Sequence, residues 1–336
     1  MKKFLAVSLS AAVLLLPSVS LAENESVTNA SNNKKSTVES VAKTSNDIYV
    51  EKKVYTAKNN KQLLESISKP QGIELEEGAV LESYTETTMF VKHEGNKTSL
   101  LTTGEAEKIK KNRGINSLKE LSKNDEEKVK KLLREQANKS DTSNTMVTTA
   151  ASTVYGQDTE TISGITGSLY TYQLTGTSSY ASRAQLYANW NGLTLIPNRS
   201  DSYKDFLTMA WSTSEPMYTE SYSGSVTYTD YSSNPDRYYT QNISSNREIY
   251  SAGKISLFYN DTYQSSWVPT QASINVIINK KTKTNKEGFA EAHLAHTYQN
   301  TVVSPSITAS WPAGITINYT PRDMVTVVPL GTRFLD

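Results

Sequence analysis

Glu291, His293 and His296 lie within six residues of one another and are the side chains of this sequence best suited to acid–base or metal chemistry. On a helix, His293 and His296 would share a side, the arrangement by which paired histidines hold one zinc ion. The run from Phe289 to Tyr298 instead alternates with a period of two, the pattern of a strand. Successive strand side chains point to opposite faces, so the two histidines separate, while Glu291 and His293 share a face about 7 Å apart. This argues against a shared metal ion. It favours a structural or surface role for the histidines, with Glu291 and His293 as an acid–base pair the competing assignment. The remaining histidine, His93, belongs to the other half of the chain, and the glutamate position of the helical metalloprotease motif is not filled.

Other chemical patterns are weaker. Ser251-Ala-Gly-Lys254 has the serine–lysine spacing of penicillin-interacting enzymes but lacks their companion elements, and its surroundings alternate as a strand. Asp158, Glu160, Asp205, Glu215, Glu291 and Asp323 are available as paired carboxylates for glycoside hydrolysis, yet spacing alone selects no pair. Phosphate loops, dinucleotide fingerprints and nucleophile elbows are absent. No catalytic residue, metal or cofactor is therefore assigned.

Aromatic residues carry the alternative, which is binding. Tyrosine and tryptophan offer flat apolar faces with a polar handle, suited to sugars, wall glycans and protein surfaces. The sequence has 20 tyrosines and four tryptophans, Trp190, Trp211, Trp267 and Trp311. Most of them occupy alternating apolar positions where packing in a sheet is the expected role. Tyr238, Tyr239 and Trp267 break that alternation near Asn234-Pro235 and Pro269 and are the expected exposed binding residues. Lys280, Lys281, Lys283 and Lys286 crowd a segment read as a long hairpin tip, a solubilising loop that protects an edge or a contact for an anionic polymer. It lacks the interleaved aromatics of a base-stacking site.

The elements that must position these side chains divide at a compositional break. From Glu23 to Ala150, 41 of 128 residues are charged and three are tyrosine; from Ala151 to Asp336, 26 of 186 are charged and seventeen are tyrosine. Residues 1–22 read as a signal peptide, with Lys2 and Lys3, an apolar run to Leu16 and a small-residue cleavage site at Ser20-Leu21-Ala22. Residues 23–46 are too polar to bury a core and form a leader read as disordered. Residues 47–137 are expected to be a small α+β domain. In it Asn60 caps a helix bearing Leu63, Leu64 and Ile67, strands run over Ala79–Tyr84 and Thr87–His93, and Asn124 with Glu127 opens a second helix bearing Val129, Leu132 and Leu133. Residues 138–152 form a linker open to proteolysis, so the preceding unit is a candidate propeptide.

Residues 153–336 are expected to form an antiparallel β-sandwich or barrel without helices. Alternation is clearest from Ala184 to Trp190, followed by Asn191-Gly192 as a tight hairpin turn into Leu193–Ile196. It recurs at Leu207–Trp211, Tyr222–Tyr228 and Ala272–Ile278, and on both sides of the Pro312-Ala313-Gly314 turn. The chain has no cysteine, so its core alone must hold it outside the cell. A net charge of +1 gives no case for nucleic acid.

These features imply a secreted, extracellular, bacterial and non-enzymatic β-rich protein that binds a cell-wall polymer, glycan or protein surface. Two alternatives stand beside it. One is a β-pore-forming or bacteriocin-like protein activated near the linker, the only reading with a membrane contact; its best alternating run, Tyr222–Thr229, falls short of the roughly 9 to 11 residues of a spanning strand. The other is an extracellular hydrolase with dispersed carboxylates.

Overall fold

The computed structural model describes residues 47–94, 97–125, 128, 161–196, 203–230, 234–263, 267–297, 305–319 and 325–335. The signal-like segment, the leader, the linker and the expected helix positions Val129, Leu132 and Leu133 lie outside them.

Runs rich in threonine, tyrosine and branched apolar residues form strands that pair antiparallel throughout. The first sheet contains β1 (Val50–Thr56), β2 (Val80–Glu94), β3 (Lys97–Leu100), β4 (Thr161–Leu174), β5 (Ser182–Asn191), β7 (Tyr218–Asp230), β8 (Asn234–Asn242) and β11 (Trp267–Lys280). Its order is β1-β2-β4-β5-β11-β7-β8, with β3 also on β2. The second sheet contains β6 (Lys204–Ser212), β9 (Arg247–Ser251), β10 (Lys254–Asn260), β12 (Glu287–Thr297) and β15 (Val325–Leu335), in the order β15-β12-β6-β10-β9. A separate hairpin pairs β13 (Ser306–Ser310) with β14 (Gly314–Asn318).

The inner faces of the two sheets meet in one apolar layer. Leu169, Leu186, Trp190, Val226, Ile274 and Val276 come from the first sheet, and Leu207, Met209, Trp211, Leu257, Leu294 and Leu330 from the second. Each large side chain there contributes roughly 1.5–3 kcal/mol by leaving water. Trp190 also donates its indole N–H to the Val328 carbonyl at 3.2 Å, tying the sheets together. Gly167 is required beneath it, because a Cβ at that position would sit 2.6 Å from the Trp190 ring.

The outer face of the first sheet is covered by α1 (Ala57–Glu65) and the segment after it. Tyr55, Tyr84, Tyr170 and Tyr187 stand directly opposite one another on four neighbouring strands, with ring centroids 6.1, 4.8 and 6.0 Å apart. Leu64, Ile67, Ile73 and Leu75 close over this row. Beside it the buried Arg183 meets the Glu76 and Glu220 carboxylates at 2.7 and 2.6 Å. A second cover starts at α2 (Thr103–Arg113), whose N-cap Thr102 and Glu105 form a capping box and whose C-cap Gly114 is left-handed. The next helical residues, 119–125, begin where buried Glu51 accepts the Ser117 hydroxyl at 2.6 Å and the Leu118 N–H at 2.7 Å.

Several local expectations give way. The halves expected to form separate domains share one sheet, because β2 pairs with β4 from Val80↔Gln173 to His93↔Thr161. The two strands expected over Ala79–His93 are one strand, since burial on both faces favours uninterrupted pairing. Asn60 lies inside α1, and Asn124 lies inside helix 119–125, whose entry Glu51 fixes from a distance. Asn191-Gly192 does not make a hairpin. β5 is paired on both sides by β4 and β11, and the chain turns instead into a 3-10 turn, Leu193–Leu195, that buries Leu193. The lysine-rich segment is an arch between sheets, because β11 and β12 belong to different ones. The Pro312-Ala313-Gly314 turn forms as expected, joining β13 to β14.

His93 sits on the seam between the halves, with Nε2 2.8 Å from the Ser163 hydroxyl. Burial pulls its pKa down to about 4. Between pH 6.5 and 4 the unfolded chain therefore binds a proton that the folded one does not, and stability falls as pH falls through that window. His93→Gln should shrink the drop in urea midpoint between pH 7 and pH 4.5; an unchanged drop contradicts this assignment.

Candidate functional site

The aromatic side chains singled out by sequence gather at one side of the sandwich. In β7, Tyr228 is fully buried and its hydroxyl donates to the Asn260 carbonyl at 2.9 Å. β8 pairs with β7 so that Tyr239 stands opposite Tyr228. On the other flank of β7, the register of β11 shifts between Pro269 and Gln271. That bulge brings Trp267 opposite Asp230, onto the same face as Tyr228. Tyr263 completes the group, its backbone N–H and carbonyl bonded to those of Trp267 at 2.9 and 3.0 Å.

The rings form a continuous array. Tyr239 stacks on Tyr263 at 4.6 Å, Tyr228 lies 5.7 Å from Tyr263, and Trp267 meets Tyr263 edge-on at 6.5 Å. The Arg237 guanidinium lies 5.7 Å over the Trp267 ring, a cation–π contact. Tyr263 holds the exposed Tyr239 phenol above its usual pKa, so it stays a neutral donor. Tyr239 is 38% exposed, and Tyr238, on the opposite face of β8, is 64% exposed. The structure thus joins Tyr239 and Trp267 through Tyr263 and sets Tyr238 on the reverse side. Sequence reading passed over Tyr263 and Arg237. The adjacency of an arginine to the Tyr238-Tyr239 pair was the available signal for the second, whereas Tyr263 is placed by pairing that a sequence does not display.

A second aromatic group lies on the same side. Tyr222 of β7 and Tyr250 of β9 are 5.4 Å apart, with the Arg247 guanidinium 5.4 Å over Tyr250. The connection 243–246 crosses between the sheets beside it, bonding to Gly224 and Phe258. Trp311, expected in the core, is instead 41% exposed at the β13–β14 turn, where it donates to the Glu287 carbonyl and meets Lys286. A two-stranded hairpin has too little interior to enclose an indole.

The polar residues fall elsewhere. β12 is a strand, and its pattern separates the histidines as expected. His296 is fully buried, with Nδ1 2.9 Å from Asp205 and 3.6 Å from Asp261. The ligating atoms of these three residues lie within 4.8 Å of one another, so the trio is able to hold a proton or a cation. It also anchors the start of the segment that carries Tyr263 and Trp267. On the other face, His293 Nε2 is 3.6 Å from Glu291, and its ring lies against Tyr319 at 6.2 Å. Lys52 of β1 approaches Glu291, and burial lowers the Lys52 pKa against the raising effect of that carboxylate. Ser251 and Lys254 close a tight turn containing left-handed Gly253, and Lys254 donates to the Ile307 carbonyl, which leaves no serine–lysine dyad. Lys280 is buried and bonds to Thr284, so it is not part of an exposed cationic tip. β7 runs 13 residues, longer than its alternation implied, and lies paired on both flanks within its sheet.

No family model and no curated protein matches this chain. Among solved structures it is similar to the collagen-binding subdomain of Enterococcus faecalis surface protein ACE, at 7% identity and a TM-score of 0.27, over 50% of this chain and 96% of that one. It is also similar to the KRT10-binding region domain of the pneumococcal serine-rich repeat protein PsrP, at 10% identity and a TM-score of 0.23, over 47% and 88%. A third similarity is to Clostridium perfringens delta-toxin, at 8% identity and a TM-score of 0.23, over 51% and 84%. Overlaps this loose carry no argument about function.

The two polar groups predict different responses. Asp205→Ala removes the 2.9 Å contact to His296 Nδ1 and the acceptor of the Thr297 N–H inside a fully buried cluster and should cost about 3–5 kcal/mol in urea unfolding. Glu291→Gln removes a longer, partly exposed contact and should cost less than about 1 kcal/mol. Equal costs would contradict the assignment of Asp205 as an anchor.

Proposed function

We propose that this protein is exported and acts without catalysis, binding a cell surface, glycan or protein partner through the open side of its sandwich. The observation that carries this reading is the array of Tyr239, Tyr263 and Trp267 under Arg237, exposed at Tyr239 and partly buried at the other two rings, with exposed Tyr238 on the reverse face of the same strand. Large rings with a polar tip held by a rigid sheet lose little freedom on binding, and such residues dominate the energetics of interfaces. The signal-like N-terminal residues support an extracellular setting.

Retention on purified cell walls, on a glycan array and on immobilised extracellular proteins tests the reading. Tyr239→Ala should lower affinity about thirtyfold, the effect of losing an anchor of roughly 2 kcal/mol. Tyr238→Ala supplies a second variant whose ring has less to do with folding. Retention unchanged in both, with melting temperatures unchanged, would sink the reading.

A further inference from the structure

The sandwich treats its two outermost strands on the open side differently. β9 is five residues long, carries Arg247 and Glu248, and is bulged against β10. These are the usual devices by which an edge resists pairing with another chain. β8 is nine residues long and, among the described residues, pairs with β7 alone. Its first part carries Pro235, Asp236 and Arg237 and is shifted in register against β7, whereas Tyr238 to Asn242 pair in register and include neither charge nor proline, and Arg237 to Thr240 are all exposed. An edge of this kind is a template for another strand.

Side-chain alternation along β8 defines what such a strand would meet. Arg237 and Tyr239 share the inner face, two residues and about 7 Å apart, beside Tyr263 and Trp267. Tyr238 and Thr240 occupy the outer face. An added strand would therefore present every second side chain to the aromatic array, with its neighbour two residues on at the guanidinium. We propose that β8 captures an extended segment of another polypeptide by strand addition, with an apolar or aromatic side chain on the Tyr239–Tyr263 rings and a carboxylate two residues away at Arg237. The proposal rests on the reading of the open side as the binding surface and specifies its partner.

Fluorescence polarisation with the full chain and a labelled nonapeptide, TVTETYTVT, tests it. Binding should saturate. N-methylation of alternate peptide amides in one phase should weaken it at least about tenfold, while methylation in the other phase leaves it unchanged, because only one set of amides faces β8. Replacing the peptide glutamate by lysine should weaken binding to the native chain and strengthen it to Arg237→Glu. No binding, or equal sensitivity to both methylation phases, overturns the proposal. Tyr239-dependent retention on cell walls or glycans without peptide binding removes strand addition and leaves the surface reading standing. A dimer in light scattering that Tyr238→Lys dissociates assigns the edge to a second copy of the chain and also overturns it.

Discussion

Every strand at the margin of a sheet exposes backbone donors and acceptors, and a sandwich has to dispose of those margins on two sides. Here the ladder between β2 and β4 decides how that is done. It adds β2, and through it β1 and β3, to strands supplied by the tyrosine-rich half. On that side the second sheet reaches across: Thr85 donates to the Gly331 carbonyl, Thr332 bonds to Ser83, and the Leu335 N–H donates to Glu82, each near 3 Å. These bonds hold β15 against β2, while β1 and β15 remain the end strands of their sheets. The opposite side, bounded by β8 and β9, carries the exposed rings of Tyr238, Tyr239 and Tyr250.

The open side is supported from within rather than appended. Tyr228 belongs to the main apolar layer and also to the aromatic array, so the platform grows directly out of the core. Its hydroxyl holds Asn260, and the next residue, Asp261, joins the buried cluster with Asp205 and His296. Core packing, a buried ionic cluster and the bulge in β11 converge on the segment that presents Tyr263 and Trp267. Rings fixed in this way meet a ligand with little ordering entropy left to lose.

The larger pattern was legible in the sequence wherever one face of a strand is buried. The alternation at Ala184–Trp190, Leu207–Trp211 and Ala272–Ile278 marks the face turned to the layer between the sheets, and the other faces of the first two runs are covered as well. The separation of His293 from His296 onto opposite faces of β12 followed from the same period. Failures arose where contacts distant in sequence override local chemistry. Tyr55 and Tyr84 looked like part of a different domain because composition does not reveal that they align with Tyr170 and Tyr187. Thr102 and Glu105 spell out a capping box as plainly as Asn124 and Glu127 do, and the buried carboxylate of Glu51 decides where the following helix starts. Tyr238, Tyr239 and Trp267 stood out because their alternation fails, which is what an edge and a bulge produce. Tyr263 had no such mark.

The most direct measurement of the central claim is site-specific photo-crosslinking with the full chain, placing a photoreactive phenylalanine analogue at Tyr238 on the open side or at exposed Leu63 on α1. After incubation with intact cells or extracellular matrix and irradiation, the account predicts a discrete crosslinked species from position 238 that unlabelled native protein competes away, and none from position 63. Crosslinking from position 63 alone, or equally from both positions, would contradict it.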